Sequence, residues 1–108
     1  MEGSEGMKVD ELENKGITEI KLFCAKYGIA VTELAMHLGV TWTRIYEIMS
    51  GKRRITPDTD LRLCKFFGLE RGYFAELQLE YDLLVAERNL SADLDKLKNV
   101  NETVRSGN

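Results

Sequence analysis

Four apolar segments, each repeating every three to four residues, are each closed by a glycine, and this punctuation constrains the fold more than any other feature. Ile17 to Tyr27 place Ile20, Phe23, Cys24 and Tyr27 at helical spacing and stop at Gly28. Val31, Leu34, Ala35 and Leu38 form a second apolar face that stops at Gly39. A third segment runs from Thr41 to about Ser50, with Ile45, Ile48 and Met49 inward, and stops at Gly51. A fourth turns Leu61, Leu63 or Cys64, and Phe67 inward and stops at Gly68. This period marks amphipathic helices, and glycine ends them because it enters the left-handed backbone region without a Cβ clash. The single proline, Pro57, sits at the first turn of the fourth helix behind a capping candidate, Thr56. A fifth helix is expected from near Arg71 into the C-terminal part. No strand-like alternation is sustained, so the expected fold is all-α.

The chain has 108 residues, 44% of them apolar and 31% charged, enough to bury one core and carry one added helix. No run approaches 18 apolar residues, so no membrane span is expected. The opening Met1-Glu2-Gly3-Ser4-Glu5-Gly6 lacks the basic start and apolar run of a secretory signal. A cytoplasmic protein is the expectation. Cys24 and Cys64 lie far apart in apolar contexts and read as buried reduced thiols. With His37 the only histidine, the soft ligands are too few for zinc. Neither a metal nor a cofactor is expected. No nucleophile motif or phosphate-binding loop appears, so an enzyme is not expected either.

The formal net charge of −3 argues at first against a nucleic-acid partner. Resolved along the chain it does not. Residues 1–17 carry −3, residues 18–67 carry +3 and residues 68–108 carry −3. Acidic ends conceal a basic middle, whose densest cluster is Lys52-Arg53-Arg54. Alone, that cluster reads equally well as a solvated loop. Residues 1–16, polar and only weakly periodic, are expected to be a mostly mobile acidic tail.

The stretch VTELAMHLGVTWTRIYEIMS, residues 31–50, fits a helix-turn-helix. Ala35 lets the second helix cross closely over the first, and Gly39 permits a tight turn. Leu34, Leu38, Val40, Ile45 and Ile48 supply a shared core, and Thr41 can cap the later helix. Steps of 100° then turn Thr43, Tyr46, Glu47 and Ser50 outward. Trp42 and Arg44 flank the helix start, the end that normally meets base edges. Trp42 either contacts a thymine methyl or sugar, or folds back onto the preceding helix. Arg44 suits guanine or phosphate, and Glu47 either accepts from cytosine N4 or orients Arg44. The candidate DNA-contacting set is Thr32, Thr41, Trp42, Thr43, Arg44, Tyr46, Glu47, Ser50, Lys52, Arg53 and Arg54.

Together with the later stretch SGKRRITPDTDLRLCKFFGLERGYFAELQLEYDL, this segment resembles the HigA/VapI-type antitoxins of the Xre helix-turn-helix superfamily. The resemblance covers about residues 17 to 84. Its most specific parts are Gly51-Lys52-Arg53 with Ile55-Thr56-Pro57, then Leu61-Arg62-Leu63, Tyr73-Phe74, Leu77-Gln78 and Tyr81-Asp82-Leu83. It implies a five-helix, lambda-repressor-like DNA-binding domain with an extended C-terminal helix. It also implies dimerisation, repression of its own operon and, often, a RelE-like mRNA-cleaving toxin as partner. Asp60 departs from the family, where a small residue is usual.

Residues 17–78 are thus expected to form the helix-turn-helix domain. Residues 79–108 are expected to form a C-terminal helix with a frayed end from Thr103. Leu83, Leu90, Leu94 and Leu97 follow a seven-residue pattern that Val104 continues, which suits a dimer or partner seam, although Glu87 and Asn101 interrupt it. A homodimer on a palindromic operator follows from the need to place two recognition helices about one DNA turn apart, roughly 34 Å. Two other readings are compatible with the sequence: a solitary Xre-family or phage-like regulator without a toxin, and a helical module that binds only protein.

Overall fold

The computed structural model describes residues 12–107. Six helices form among the described residues, with no strand: α1 (Lys15–Lys26), α2 (Val31–Leu38), α3 (Trp42–Met49), α4 (Pro57–Phe67), α5 (Tyr73–Lys96) and α6 (Val100–Gly107). The all-α helix-turn-helix architecture expected from the punctuation is the one found. No helix among the described residues is long and apolar enough to cross a membrane. Most of the expected acidic tail, residues 1–11, lies outside the described residues.

The chain divides into two units. One spans Glu13–Asp82; the described part of the other is Leu12 and the chain from Leu83 onward. Within the first unit, α2 packs against α1, α3 and α4. Its core is built from Ile20 and Cys24 on α1, Leu34, Ala35 and Leu38 on α2, and Ile45 and Ile48 on α3. Ile55, then Leu63, Cys64 and Phe67 on α4, and Phe74 on α5 complete it. Both cysteines are buried and free, and burial raises both thiol pKa values above the ordinary range.

Each glycine stop works as the backbone physics requires: Gly28, Gly39, Gly51 and Gly68 all have positive φ. The need is most stringent at Gly39, between α2 and α3. Its φ is +71°, and a Cβ there would also meet the Arg62 guanidinium at 3.4 Å. Arg62 Nη1 occupies that place because it donates to the Leu38 carbonyl at 2.9 Å, one of the α2 C-terminal carbonyls with no partner inside the helix.

Three local expectations are corrected. The first helix begins at Lys15, not Ile17, because Asn14 caps it: Asn14 Oδ1 accepts the Gly16 N–H at 3.0 Å. Gly16 is buried, and a Cβ on it would stand 2.8 Å from Ile55 Cδ1. Leu61 is not in the core but 52% exposed. It lies about 200° around the helix from Leu63, so the two cannot share the inner face. The single C-terminal helix expected within residues 79–108 is not continuous, since α5 ends at Lys96 and a separate α6 runs from Val100 to Gly107. Asn99 starts α6 with a reciprocal cap: its side chain accepts the Glu102 N–H at 3.0 Å, and its own N–H donates to Glu102 Oε1 at 3.1 Å.

The departure at Asp60 has a structural reason. Asp60 is 2% exposed, and its carboxylate accepts backbone N–H groups of Gly72 (2.6 Å), Phe74 (2.8 Å) and Ala75 (2.9 Å). An α4 side chain therefore caps the first turn of α5, whose amides would otherwise lack partners. This seats Phe74, fully buried, with its ring centroid 6.1 Å from Phe23 and 6.4 Å from Phe67.

Candidate nucleic-acid interface

The α3 helix starts on a cap. Thr41 Oγ1 accepts the Arg44 N–H at 3.1 Å. Ile45 and Ile48 are buried against the other helices, which fixes which side of α3 faces outward. Trp42, Thr43, Tyr46 and Ser50 are exposed on that outer side. Trp42 is 44% exposed, with its ring centroid 6.1 Å from Tyr46. Thr32, near the start of α2, is exposed, and Thr41 is exposed as the cap. His37 stacks on Phe66 at 4.9 Å between centroids, on the α2 and α4 surfaces.

The basic loop after α3 is tied down at Glu47. The Glu47 carbonyl accepts from Lys52 N at 2.8 Å, from Arg53 N at 3.1 Å and from Ser50 Oγ at 3.2 Å. Its carboxylate holds Arg53, with Nη2 to Oε1 at 2.7 Å. The expected alternative, in which Glu47 orients Arg44, is therefore not what forms. A positive φ at Gly51 turns the chain back over the helix end, bringing Arg53 rather than Arg44 within reach of this carboxylate.

Arg44 is instead paired with Asp58 on α4, Nη1 to Oδ1 at 2.8 Å. Arg62 donates to the same oxygen at 2.8 Å. Asp58 thus links the start of α3 to Arg62, which caps the end of α2. Hydrogen bonds from Arg62 and then Arg44 hold the Asp58 carboxyl below the ordinary aspartate range.

The end of the loop is fastened to α5. Gln78, 2% exposed, accepts the buried Ile55 N–H at 2.9 Å and the Asn14 Nδ2 donor at 3.1 Å. Its own Nε2 donates to Asp82 Oδ1 at 2.9 Å. The other oxygen of Asp82 receives Arg54 through Nε at 2.8 Å and through Nη2. Asp58, Asp82, Gln78 and Asn14 were absent from the sequence-derived site, although they position it. Only the Asp58–Arg62 and Gln78–Asp82 spacings of four, each on one helix face, were open to reading in advance. The pairs Arg44–Asp58, Ile55–Gln78, Arg54–Asp82 and Asn14–Gln78 lie 14 to 64 residues apart and meet only in the fold.

The geometry is that of a lambda-repressor-like helix-turn-helix domain with an exposed outer face on its second helix and a basic loop behind it. No family model matches the chain. It is 40% identical over 62 residues, 57% of its length, to Virulence-associated protein I of Dichelobacter nodosus, and spans 57% of that protein. It is also similar to the structure of an addiction module antidote protein of a HigA family from Coxiella burnetii. There the TM-score is 0.72 and the identity 30%, covering 81% of this chain and 95% of that one. The chain belongs to the HigA family of addiction module antidote proteins.

Proposed function

We propose that this protein is a sequence-specific DNA-binding repressor, the antitoxin of a type II toxin–antitoxin pair that autoregulates its operon. The observation that carries this reading is the outer face of α3. Its inner side is consumed by Ile45 and Ile48, while Trp42, Thr43, Tyr46 and Ser50 stand exposed, followed directly by Lys52, Arg53 and Arg54. Apolar and hydroxyl groups at the helix start suit base edges, and the basic loop suits phosphates. In this reading Thr32 and Thr41 also touch the backbone of the duplex, Arg44 contacts guanine or phosphate, and Glu47 acts by holding Arg53.

A homodimer on a palindromic operator supplies the specificity that one module lacks. The leucines expected at a seam support it: Leu83, Leu90, Leu94 and Leu97 are 51%, 46%, 45% and 71% exposed. Leu83, Leu90 and Leu94 recur along α5 and Leu97 lies just past its end, and large apolar side chains so exposed suit cover by a second chain. The toxin is a RelE-like mRNA-cleaving protein, and the complex works in the cytoplasm. Family membership, and the relative described as an addiction module antidote, support the antitoxin role.

A gel shift against the DNA upstream of its own gene tests the reading. Specific retardation is expected, weakened by Arg44→Ala and by Lys52→Ala. Equal binding to unrelated duplex, or unchanged binding in both variants, contradicts it. Rescue of growth when a neighbouring toxin gene is co-expressed tests the partner; absence of any such gene favours a solitary regulator.

A further inference from the structure

Three arginines of the proposed DNA face are already engaged by carboxylates of the same chain. Arg44 is held by Asp58 on α4 at 2.8 Å, Arg53 by Glu47 on α3 at 2.7 Å, and Arg54 by Asp82 on α5 at 2.8 Å. The fourth cation, Lys52, has no acidic side-chain partner among the described residues. We infer that DNA binding at this face is an ion-pair exchange, in which Asp58, Glu47 and Asp82 compete with phosphates for the arginines and so hold down the phosphate-driven part of DNA affinity and its salt dependence. The inference rests on the DNA-binding reading above.

The exchange is easiest at two of the three pairs, because Asp82 and Asp58 keep partners when released. Asp82 divides its oxygens: Oδ2 holds Arg54, while Oδ1 keeps the Gln78 amide. Asp58 keeps Arg62. The arginine heads remain accessible, with side-chain exposures of 31%, 48% and 62% for Arg44, Arg53 and Arg54. Random duplex offers only phosphates, so each displaced carboxylate weakens nearly all of that binding. An operator also offers base edges to Trp42, Thr43 and Tyr46, and that part of the interaction is untouched. The same cost falls on random and operator duplex, so the carboxylates lower both affinities while the base-edge contacts keep the two apart.

Asp82→Asn provides the test, because asparagine can still accept from Gln78 while losing the charge on Arg54. Binding to random and upstream duplex is measured by fluorescence anisotropy across a salt series. Glu70→Gln is the charge-matched control, an exposed acid that pairs with none of these arginines. Asp82→Asn is expected to tighten random-duplex binding about two- to fivefold beyond that control, the worth of an exposed ion pair. Its salt slope should steepen by about one phosphate contact, and operator binding should tighten by a similar factor. In an Arg54→Ala background the effect should vanish. If Asp82→Asn merely matches Glu70→Gln, or weakens binding, the exchange is refuted while the DNA reading stands. If the unmutated protein shows no salt-dependent DNA binding, the DNA reading itself fails.

Discussion

Gln78 on α5 accepts the Ile55 N–H at 2.9 Å, and this buried bond, beside the exposed Arg54–Asp82 pair, fastens the loop behind α3 to the helix that follows two elements later. Both residues are 2% exposed, so water cannot replace the bond. Gln78→Ala leaves a buried amide unpaired and removes the partner of Asn14. Urea unfolding should show a loss of about 1–3 kcal/mol. A midpoint equal to the unmutated protein's would mean that the loop is held by other means.

Asp60 caps α5 from α4, and replacing it removes the acceptor for three backbone amides. Asp60→Ala should destabilise by about 2–4 kcal/mol, above an ordinary exposed cap, because the orphaned groups are largely buried. Thermal unfolding reads this. A loss no larger than that of Glu70→Gln would contradict the capping role.

Gly39 closes α2 at a φ of +71°. Gly39→Ala imposes a left-handed alanine and crowds Arg62, so a loss of about 1–2 kcal/mol is expected in the same unfolding measurement. A stabilised variant would show that the turn relaxes elsewhere.

Asp58 has its pKa lowered, first by Arg62 and then by Arg44, from an ordinary 3.8. A lowered carboxylate pKa stabilises the fold fully above the unfolded value and loses that contribution as pH falls through the folded value. The Arg44–Asp58–Arg62 bridge should therefore be intact at neutral and mildly acid pH and fail only below 3.8. Carboxyl-carbon NMR titration should place the Asp58 midpoint below that figure; a midpoint above it would mean that the arginines are not bound in solution.

The exposed leucines of the C-terminal segment should govern self-association. Leu90→Ser with Leu94→Ser should shift sedimentation from dimer toward monomer without unfolding the Glu13–Asp82 unit. An unchanged dimer would place the interface elsewhere.

Much of this fold could be read from the chain because its signals are local. The stops at Gly28, Gly39, Gly51 and Gly68, the caps at Thr41 and Thr56, and the inward positions Leu34, Leu38, Ile45 and Ile48 each follow from a few neighbouring residues. The exposure of Thr43, Tyr46 and Ser50 follows from placing Ile45 and Ile48 inside, whereas the sequence leaves Trp42 open between an outward place and one against the preceding helix, and Glu47, turned outward by the same steps, is only half-exposed. The polar partners did not have that property. In sequence Asp60 is legible only as a departure from its family, because the amides it caps, those of Gly72, Phe74 and Ala75 at the start of α5, lie 12 to 15 residues further on. In sequence, Glu47 offers itself to cytosine N4 or to Arg44, and the turn at Gly51 brings Arg53 to it instead. Leu61 was placed inward because the α4 pattern admits more apolar positions than one face can hold.

The central claim, that the outer face of α3 meets DNA, can be tested at a single reporter. Trp42 is the only tryptophan, it lies at the start of α3, and it is 44% exposed. Its emission, and its quenching by iodide, should be followed as the protein is titrated with duplex from upstream of its own gene. The account predicts a saturable emission change and protection from iodide, both reversed by added salt. Tight DNA binding that leaves Trp42 emission and iodide access unchanged would contradict it.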